Sequence, residues 1–458
     1  MEAHGVPLLH IQPQLTGPRH PSTSPLRKVD PMSPHPPASE PAPRPPREAV
    51  PPPSRRALGV DVARALALVG MIAAHVFPSD DADGDMTLAY GIAAGRASAL
   101  FAVLAGVSIA FVEKRSRGQL AGRTLAADRA ALTVRGLLIL LVGLLLGHLD
   151  TPIETIIPYF GVLFLVAIPF YGRSCRFLLF SAILFAVLGP ILRHLLNGRA
   201  PEQVDIEADY TLVTAAQQPL PFLADMLVTG FYPVVSWMVY LCVGMVIGRQ
   251  VLTSRKLALQ LMGWGTALAL VTWSTSKILL GPVGGFQRLV EATPTMDGED
   301  IADVLAYGPS VLMPNTTWWW LTAVAPHSET SFNILHTLGS ALAVLGLTLF
   351  LARGGHKVFT TFAALGAMTL TLYSTHCIIL MLEILDEDRP VVSLWTQMIA
   401  FMVYALMWRS SMGRGPLEAI ISEASDWVRW RVRGTRPVPP SPDSVERSQS
   451  PRPVGAAR

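Results

Sequence analysis

Long apolar runs alternate with short polar segments along most of this chain. Between residues 57 and 410 the apolar runs are long enough to cross about 30 Å of hydrocarbon as α-helices. We predict about ten membrane-spanning helices, with boundaries good to a few residues. Pro158 and Pro169 interrupt one of them, a break that membrane helices tolerate where neighbours satisfy the freed backbone groups. The predicted spans are residues 58–77, 88–112, 131–149, 153–171, 176–195, 229–248, 257–280, 333–352, 358–383 and 391–408.

The composition supports a membrane protein. Of 458 residues, 51% are hydrophobic and 15% are charged, whereas soluble domains carry about 25% charged residues. We therefore predict an all-α, polytopic integral membrane protein. The three cysteines are far apart in apolar runs, so neither a disulfide framework nor a metal-binding pair is predicted. The net charge of +3 gives no indication of a nucleic-acid partner.

Charge differs between alternate loops of the predicted bundle. Arginine and lysine precede span one and follow spans two, four, six, eight and ten, whereas the other loops are acidic. Basic loops stay in the cytoplasm. Both termini are therefore predicted to be cytoplasmic, as an even number of spans requires, in a multi-pass protein of the cell membrane. The acidic loops contain residues 80–85, 202–209, 297–303 and 386–388.

Composition also divides the chain into four parts. Residues 1–56 hold 16 of the 38 prolines, which predicts a disordered, proline-rich cytoplasmic tail. Residues 57–415 form the predicted membrane domain. Residues 416–433 alternate apolar and charged faces, as is typical of an amphipathic helix on the inner membrane surface. Residues 434–458 are predicted to be a second disordered tail.

The first span contains an arginine and a histidine on one face. Arg64 and His75 are eleven positions apart, about three full turns, so their side chains point the same way, about 16.5 Å apart along the axis. Asp61 borders that face. Charged groups inside a membrane are costly, which makes this face a candidate functional site. The alternative is structural: Arg64 extends to the inner headgroups with Asp61 as its partner, and His75 lies at the outer interface.

A second histidine lies at a similar predicted depth. His376, with Tyr373 one turn before it, falls in the outer half of span nine. An arginine near the inner boundary can bind phosphate, and an imidazole can accept a proton at neutral pH. A long donor with an anionic head, such as acyl-CoA, fits between Arg64 and His75. Alternatively, both histidines are isolated core residues.

Four further residues are candidates for substrate binding. Arg129 and Arg135 flank span three on the inner side, where they either meet the phosphates of the donor or reflect the ordinary inner positive charge. Arg96 opens span two on the outer side, where it binds an anionic acceptor or pairs with a loop carboxylate. Trp318 begins a run of three tryptophans, which is either an interfacial anchor or a stacking surface for a sugar.

These motifs resemble those of known membrane acyltransferases. Arg64-x10-His75 resembles the Arg-x10-His motif of the family that O-acylates surface glycans. The stretch from Val60 to Ser108 is similar to the catalytic domain of heparan-α-glucosaminide N-acetyltransferase, and Leu365–His376 resembles the late Tyr-x-x-His helix of these enzymes. Arg414-Gly-Pro-Leu-Glu418 is similar to the closing motif of YeiB-like proteins.

The resemblance places the chain in the transmembrane acyltransferase superfamily. It implies that acyl-CoA binds from the cytoplasm and that the acyl group passes to a hydroxyl or amine outside. Arg64 and His75 are the matched functional residues, and His376 matches more loosely. The long proline-rich tail departs from the family pattern, and no glucosamine-binding signature is present, so the heparan substrate is not implied.

We therefore predict a membrane acyltransferase that uses acyl-CoA and no metal. Its partners would be membrane lipids and an extracytoplasmic sugar or lipid acceptor, with His75 as general base or acyl carrier and His376 or Tyr373 orienting or protonating. Two alternatives use other features. A proton-coupled exporter of a glycan or lipid would use the same buried charges, and a non-catalytic scaffold would present the proline-rich tail to partners.

Overall fold

The computed structural model describes residues 55–116, 122–149, 151–197, 210–309, 312–384, 386 and 388–434. Most of both predicted tails and the acidic loop at 202–209 lie outside these residues. Within them, regular structure is helical apart from one isolated bridge between Asp80 and Met86. The predicted all-α class is confirmed for this part of the chain.

The helices follow the apolar runs. The first group is α1 Arg55–Val76, α2 Leu88–Ala93, α3 Arg96–Arg115, α4 Arg123–Leu146, α5 Ile157–Val166, α6 Cys175–Leu196, α7 Leu212–Gln217 and α8 Pro219–Ala224. The second group is α9 Val234–Gly248, α10 Arg255–Leu280, α11 Gly285–Ala292, α12 Gly298–Tyr307, α13 Ser331–Leu351, α14 Lys357–Gly366, α15 Thr369–Met381, α16 Pro390–Ser411 and α17 Pro416–Arg433.

Seven to nine of the described segments are long and apolar enough to cross a membrane. Seven are single helices or near-continuous ones, and two more are helix pairs bent by 51° and 66°. The bent pairs are Pro219–Thr229 with α9, and α14 with α15. The predicted count of about ten is therefore not confirmed, although a multi-pass membrane protein is supported.

The predicted span at 153–171 shows where the count differs. Its α-helix, α5, contains only ten residues, which correspond to about 15 Å or half the hydrocarbon thickness. Pro158 lies in the first turn of α5, where a missing N–H costs nothing. Pro169 lies in the short 3₁₀ turn that follows. The two prolines thus delimit a short buried helix packed against α4 instead of a full span.

The bend between α14 and α15 determines where the second histidine lies. The two helices meet at 66° next to α1. Gly366 is the last residue of α14, and a Cβ atom there would collide with the backbone carbonyl of Asp61 on α1. Glycine therefore allows α14 to end in backbone contact with α1, so that α15 begins beside the Asp61–Arg64 turn.

The core of the bundle is a close crossing of α3 and α9. Gly106 on α3 and Gly244 on α9 face each other, and a Cβ atom on either would collide with backbone atoms of the other helix. This packing of small residues is what brings membrane helices close together in the absence of a hydrophobic driving force. It fixes α3, which carries Ser108 toward α1.

Substituting Gly244 with alanine should therefore destabilise the protein. We expect Gly244→Ala to lower the free energy of unfolding by about 1–3 kcal/mol, because overpacking forces the helices apart. Gly263→Ala is the matched control, since a Cβ at that position on α10 meets nothing within 4 Å. Thermal unfolding in detergent would measure both variants. Equal thermal midpoints for Gly244→Ala and Gly263→Ala would contradict the close crossing.

Candidate active site

Two histidines from distant parts of the chain form a hydrogen-bonded pair. Nδ1 of His75, near the end of α1, lies 3.1 Å from Nε2 of His376 on α15. The imidazole planes are parallel within 7° and their centroids are 5.3 Å apart. The two bonded nitrogens therefore lie between the ring centroids, as in an in-plane N–H···N bond. His376 is fully buried, with 0% of its surface exposed.

A glutamine sets the proton positions of this pair. Nδ1 of His376 lies 3.1 Å from Oε1 of the buried Gln397 on α16. A carbonyl oxygen only accepts, so a neutral His376 carries its proton on Nδ1 and accepts at Nε2. His75 then donates from Nδ1, which leaves the lone pair of His75 on Nε2. The Gln397–His376–His75 chain thus presents a basic nitrogen on His75.

Tyr373 lies against both imidazoles. Its ring centroid is 6.2 Å from that of His75 and 6.2 Å from that of His376. It is one turn before His376 on α15, so one helix face contributes both side chains. Tyr373 also lines a cavity on its other side.

This cavity has a volume of about 420 Å³ and contains the predicted arginine of α1. Arg64 donates from Nη1 to Oδ1 of Asp61 at 2.7 Å and from Nη2 to Oγ of Ser108 on α3 at 2.6 Å. Arg64 is thus oriented by both partners while it remains on the cavity wall. Asp61 acts mainly as the ion-pair partner of Arg64, which is the structural interpretation offered by the sequence. Arg64 therefore lines the cavity, as the functional interpretation requires, and also forms the ion pair of the structural interpretation.

A second arginine reaches the cavity from α4. Nε of Arg135 is buried and has no hydrogen-bond partner, and its guanidinium lies 5.4 Å from the ring centroid of Phe164. Arg64 and Arg414 lie within electrostatic range of it, and both also line the cavity. Three guanidinium groups therefore converge where only Glu418 and Asp61 supply negative charge among the lining residues. Such a cluster suits a phosphorylated ligand.

The structure separates two arginines that the sequence could not rank. Arg129 precedes Arg135 by six residues on α4 but does not line the cavity; its Nη2 points to the carbonyl oxygen of Tyr171 at 3.5 Å. Six residues turn a helix by about 600°, so the two side chains point about 120° apart and lie on different faces. Arg135 is thus the better candidate for ligand binding.

The other predicted substrate-binding residues lie elsewhere. Arg96 begins α3, where its Nη1 donates to the carbonyl of Gly91 and its Nη2 donates to Nε2 of His336 at 3.1 Å. His336 donates in turn from Nδ1 to the carbonyl of Ala269 at 3.0 Å. These bonds connect α3, α10 and α13, and Arg96 does not line the cavity. Arg96 thus links these helices, and its role in binding an acceptor stays a prediction.

The three adjacent tryptophans have three different surroundings. Trp318 is 54% exposed, and its ring lies 4.5 Å from that of His194, at 35°. Trp319 stacks with the guanidinium of Arg288, and Trp320 is buried. Trp318 is thus the exposed member of the run, which suits either of its two interpretations, anchor or sugar platform.

The arginine cavity and the histidine pair meet at Tyr373. Along α1 the cavity is lined by Asp61, Arg64 and Met71, and His75 follows one turn after Met71. Neither histidine lines the cavity itself. A donor that extends from Arg64 to His75, as the sequence predicts, would therefore have to pass Tyr373, which lines the cavity and lies 6.2 Å from both imidazoles.

A strained loop approaches His75 from another direction. His327 and Glu329 precede α13 with φ of 55° and 54°, a region that costs non-glycine residues about 1–3 kcal/mol each. Burial, with a smaller effect of Arg193, lowers the pKa of His327 to about 4. Burial raises the pKa of Glu329 to about 7, against the opposing effect of Arg193. His327 lies within electrostatic range of His75, and its ring contacts those of Phe231 and Tyr232.

Sequence reasoning missed Gln397, Arg414 and Glu418 as site residues. Gln397 is a polar residue inside an apolar span, a signal of the kind that marked Arg64. Arg414 and Glu418 belong to a motif that was noticed without a role. Among the described residues, no three His, Cys, Asp or Glu side chains are grouped to hold a metal ion.

Comparison with known proteins bears on the first half of the chain. Residues 56–279 match the family model described as heparan-alpha-glucosaminide N-acetyltransferase, catalytic. No curated protein matches the chain. The matched residues run from α1 through nearly all of α10 and include Arg64, His75 and Arg135, whereas His376 and Gln397 lie beyond them. The resemblance of this chain to the transmembrane acyltransferase superfamily is thereby confirmed, through the catalytic domain of heparan-α-glucosaminide N-acetyltransferase.

Proposed function

We propose that this protein transfers an acyl group, in the first instance acetyl, from cytoplasmic acyl-CoA to a hydroxyl or amine of an extracytoplasmic glycan or lipid-linked acceptor. The observation that carries the proposal is the Gln397–His376–His75 chain, which contacts an arginine-lined cavity through Tyr373. Transfer from acyl-CoA needs a base and a phosphate-binding cavity close to each other, and here both lie beside Tyr373.

The arginine end of the cavity faces the cytoplasm in this proposal. Support comes from the basic loops at that end of α1 and from α17, whose last turn carries Arg431 and Arg433. α17 lines the cavity through Glu418 and Ser422, so it lies at the same end as Arg64. Both termini are then cytoplasmic and the protein resides in the cell membrane.

The donor binds with its phosphates among Arg64, Arg135 and Arg414. Guanidinium groups bind phosphate with paired, charge-assisted hydrogen bonds, and the unpartnered Nε of Arg135 offers one donor directly. The volume of about 420 Å³ lies within the range of small-molecule sites. The apolar wall beyond, which includes Met71 and Phe160, suits the uncharged arm that leads to the thioester.

His75 performs the proton transfer. Its Nε2 accepts the proton of the acceptor O–H or N–H while the acceptor oxygen or nitrogen attacks the thioester carbonyl carbon. The tetrahedral intermediate collapses as the carbon–sulfur bond breaks, and His75 returns the proton to the leaving thiolate. His376 and Gln397 hold the tautomer of His75 and stabilise its cationic form, as the third member of a triad does. The same free nitrogen also suits His75 as a transient acyl carrier.

Donor and acceptor approach His75 from different sides of Tyr373. The thioester extends through the cavity to Tyr373, and the acceptor reaches His75 from the outer end of α1. The Tyr373 side chain then either moves out of the space between the two reactants or donates a hydrogen bond from its hydroxyl to the developing oxyanion. Trp318 belongs to the outer surface, where an exposed indole is suited to stack against a sugar ring.

Binding of the donor tests this function against the transporter and the scaffold. In detergent-purified protein, CoA and acetyl-CoA should raise the thermal midpoint in a concentration-dependent way. In proteoliposomes loaded with radiolabelled acetyl-CoA, label should appear on outer-face glycans or lipids. A protein that shows neither a CoA-dependent shift nor label transfer is a transporter or scaffold and not an acyltransferase.

Gln397 provides a prediction specific to the histidine pair. We expect Gln397→Leu to reduce the turnover of acetyl-CoA about tenfold, because an unpaired buried Nδ1–H on His376 costs about 1–3 kcal/mol and favours the other tautomer. Gln260→Leu is the matched control, since Gln260 is exposed on α10. Release of free CoA, followed with a thiol reagent, would compare the two variants. Wild-type turnover in Gln397→Leu would remove the tautomer argument.

A further inference from the structure

The first turn of α17 packs against the first turn of α15, the helix that carries His376. Oε1 of Glu418 accepts hydrogen bonds from the backbone N–H groups of Leu370 at 2.7 Å and Thr371 at 3.1 Å. Oε2 accepts from the hydroxyl of Thr371 at 2.6 Å. The Thr371 hydroxyl oxygen in turn accepts from the N–H of Leu417 at 3.2 Å. One carboxylate from the end of the chain therefore caps α15.

α15 has particular need of such a cap. It begins immediately after the 66° break that follows α14, and its first N–H groups have no partner within their own helix. The residue before it, Met368, supplies no side-chain cap. A carboxylate at this position satisfies two of these donors and complements the positive end of the helix dipole. Tyr373 and His376 follow on the same helix within the next two turns.

The geometry also explains the residues around Glu418. A Cβ atom at position 415 would collide with Oε2 of Glu418, so Gly415 is required for the carboxylate to fold back. Pro416 occupies the first turn of α17, where no N–H is needed. Arg414 lines the cavity beside Arg64 and Arg135. The Arg-Gly-Pro-Leu-Glu motif thus has two contacts: Arg414 and Glu418 line the cavity, and Glu418 also caps α15.

The helix that carries Glu418 is also a wall of the donor cavity. Ile421 and Ser422 of α17 line it next to Glu418. Further along, Arg429 forms an ion pair with Asp128 of α4, with 2.9 Å between Nε and Oδ1, and Tyr171 donates to the other carboxylate oxygen at 2.9 Å. α17 is therefore fixed to α4 at one end and to α15 at the other, with the cavity between these contacts.

We propose that Glu418 is a positioning residue that holds Tyr373 and His376 against His75 by capping α15, and that it does so from the wall of the donor cavity. The role in catalysis rests on the function proposed above, whereas the capping of α15 does not.

Two measurements on Glu418→Gln test the two parts separately. Labelling of Cys377 by N-ethylmaleimide reports the order of α15, because this buried thiol directly follows His376. We expect its labelling rate to rise about tenfold in Glu418→Gln, because the substitution removes the negative charge at the start of α15 and replaces Oε2, which accepts from the Thr371 hydroxyl, by an NH2 group that cannot accept. Labelling of Cys242, buried on α9, should not change.

The second measurement is the turnover of acetyl-CoA to free CoA. We expect kcat to fall about tenfold in Glu418→Gln because the cap positions the histidine helix, whereas KM for acetyl-CoA should not rise, because loss of a carboxylate from the wall of the arginine cavity does not weaken phosphate binding. Glu423→Gln, on an exposed position of α17, is the control for charge removal from the same helix. Glu418→Asp keeps the charge, so its Cys377 labelling rate and its kcat should both lie between those of the wild type and Glu418→Gln.

Each outcome decides one part. Wild-type labelling of Cys377 in Glu418→Gln overturns the cap, and equal kcat with faster labelling overturns the positioning role. If Cys242 is labelled faster as well, the Glu418→Gln variant has unfolded. Thr371→Val, which removes one of the three hydrogen bonds to Glu418, is then tested with the same two measurements. If the wild-type protein does not convert acetyl-CoA to free CoA, the proposed acyltransferase function is refuted, but the labelling test of the cap remains valid.

Discussion

Replacing His75 by alanine is expected to reduce acyl transfer at least about a thousandfold, since general base catalysis contributes about 10²- to 10⁴-fold and no other nitrogen in the relay presents a free lone pair. Nε2 of His75 is the end of the Gln397–His376–His75 chain. His376 is not expected to replace it, because the Nε2 that the substitution frees belongs to a fully buried ring that does not line the cavity. Transfer of radiolabelled acetyl groups in proteoliposomes is the measurement.

Binding of CoA should survive in the same variant. His75 does not line the arginine cavity, so the CoA-dependent thermal shift of His75→Ala should equal that of the wild type. His356→Ala, at an exposed position before α14, is the control for loss of an imidazole. Transfer at the wild-type rate in His75→Ala would contradict proton transfer by His75. The arginine cavity would then remain only as a proposed binding site.

The second large effect concerns the phosphates of the donor. Arg135→Gln should raise KM for acetyl-CoA about 10- to 100-fold and weaken the CoA-dependent thermal shift, because a hydrogen bond to a charged group is worth about 1.5–3 kcal/mol. The stability of the free protein should change little, because Nε of Arg135 has no hydrogen-bond partner to lose.

Arg129→Gln is the matched control for Arg135→Gln. Both arginines lie on α4 and both belong to the basic end of the third predicted span, but Arg129 points to the backbone of Tyr171 and does not line the cavity. We expect a KM within about twofold of the wild type for this variant. Equal effects of the two substitutions on KM would indicate a general effect of positive charge and would argue against a defined phosphate site.

Some properties of the site follow from local sequence alone. The spacing of Arg64 and His75 fixes them on one face of α1, because a straight helix has a constant angle per residue. Tyr373 and His376 share a face of α15 for the same reason. The ionisable side chains of Arg64, His75 and His376 already marked these residues as unusual for a membrane span. What the pattern left open was which partners these residues would meet.

Contacts between distant residues required the folded chain. His75 and His376 are 301 positions apart, and their 3.1 Å separation depends on the bend between α14 and α15. Gln397 and Glu418 enter from two further helices, and nothing in their own spacing indicates which backbone or ring they reach. Arg96 was an equal candidate by sequence, yet it bonds His336 away from the cavity.

The sequence by itself determined a helical membrane protein, the approximate position of most spans and the shared faces of Arg64 with His75 and of Tyr373 with His376. These depend on hydrophobicity and helical periodicity, which are local. Tertiary structure alone decided that His75 meets His376, that Tyr373 lies near both imidazoles while it lines the cavity, and that Glu418 caps α15. Such features depend on how helices distant in sequence pack, and a periodic pattern carries no information about that.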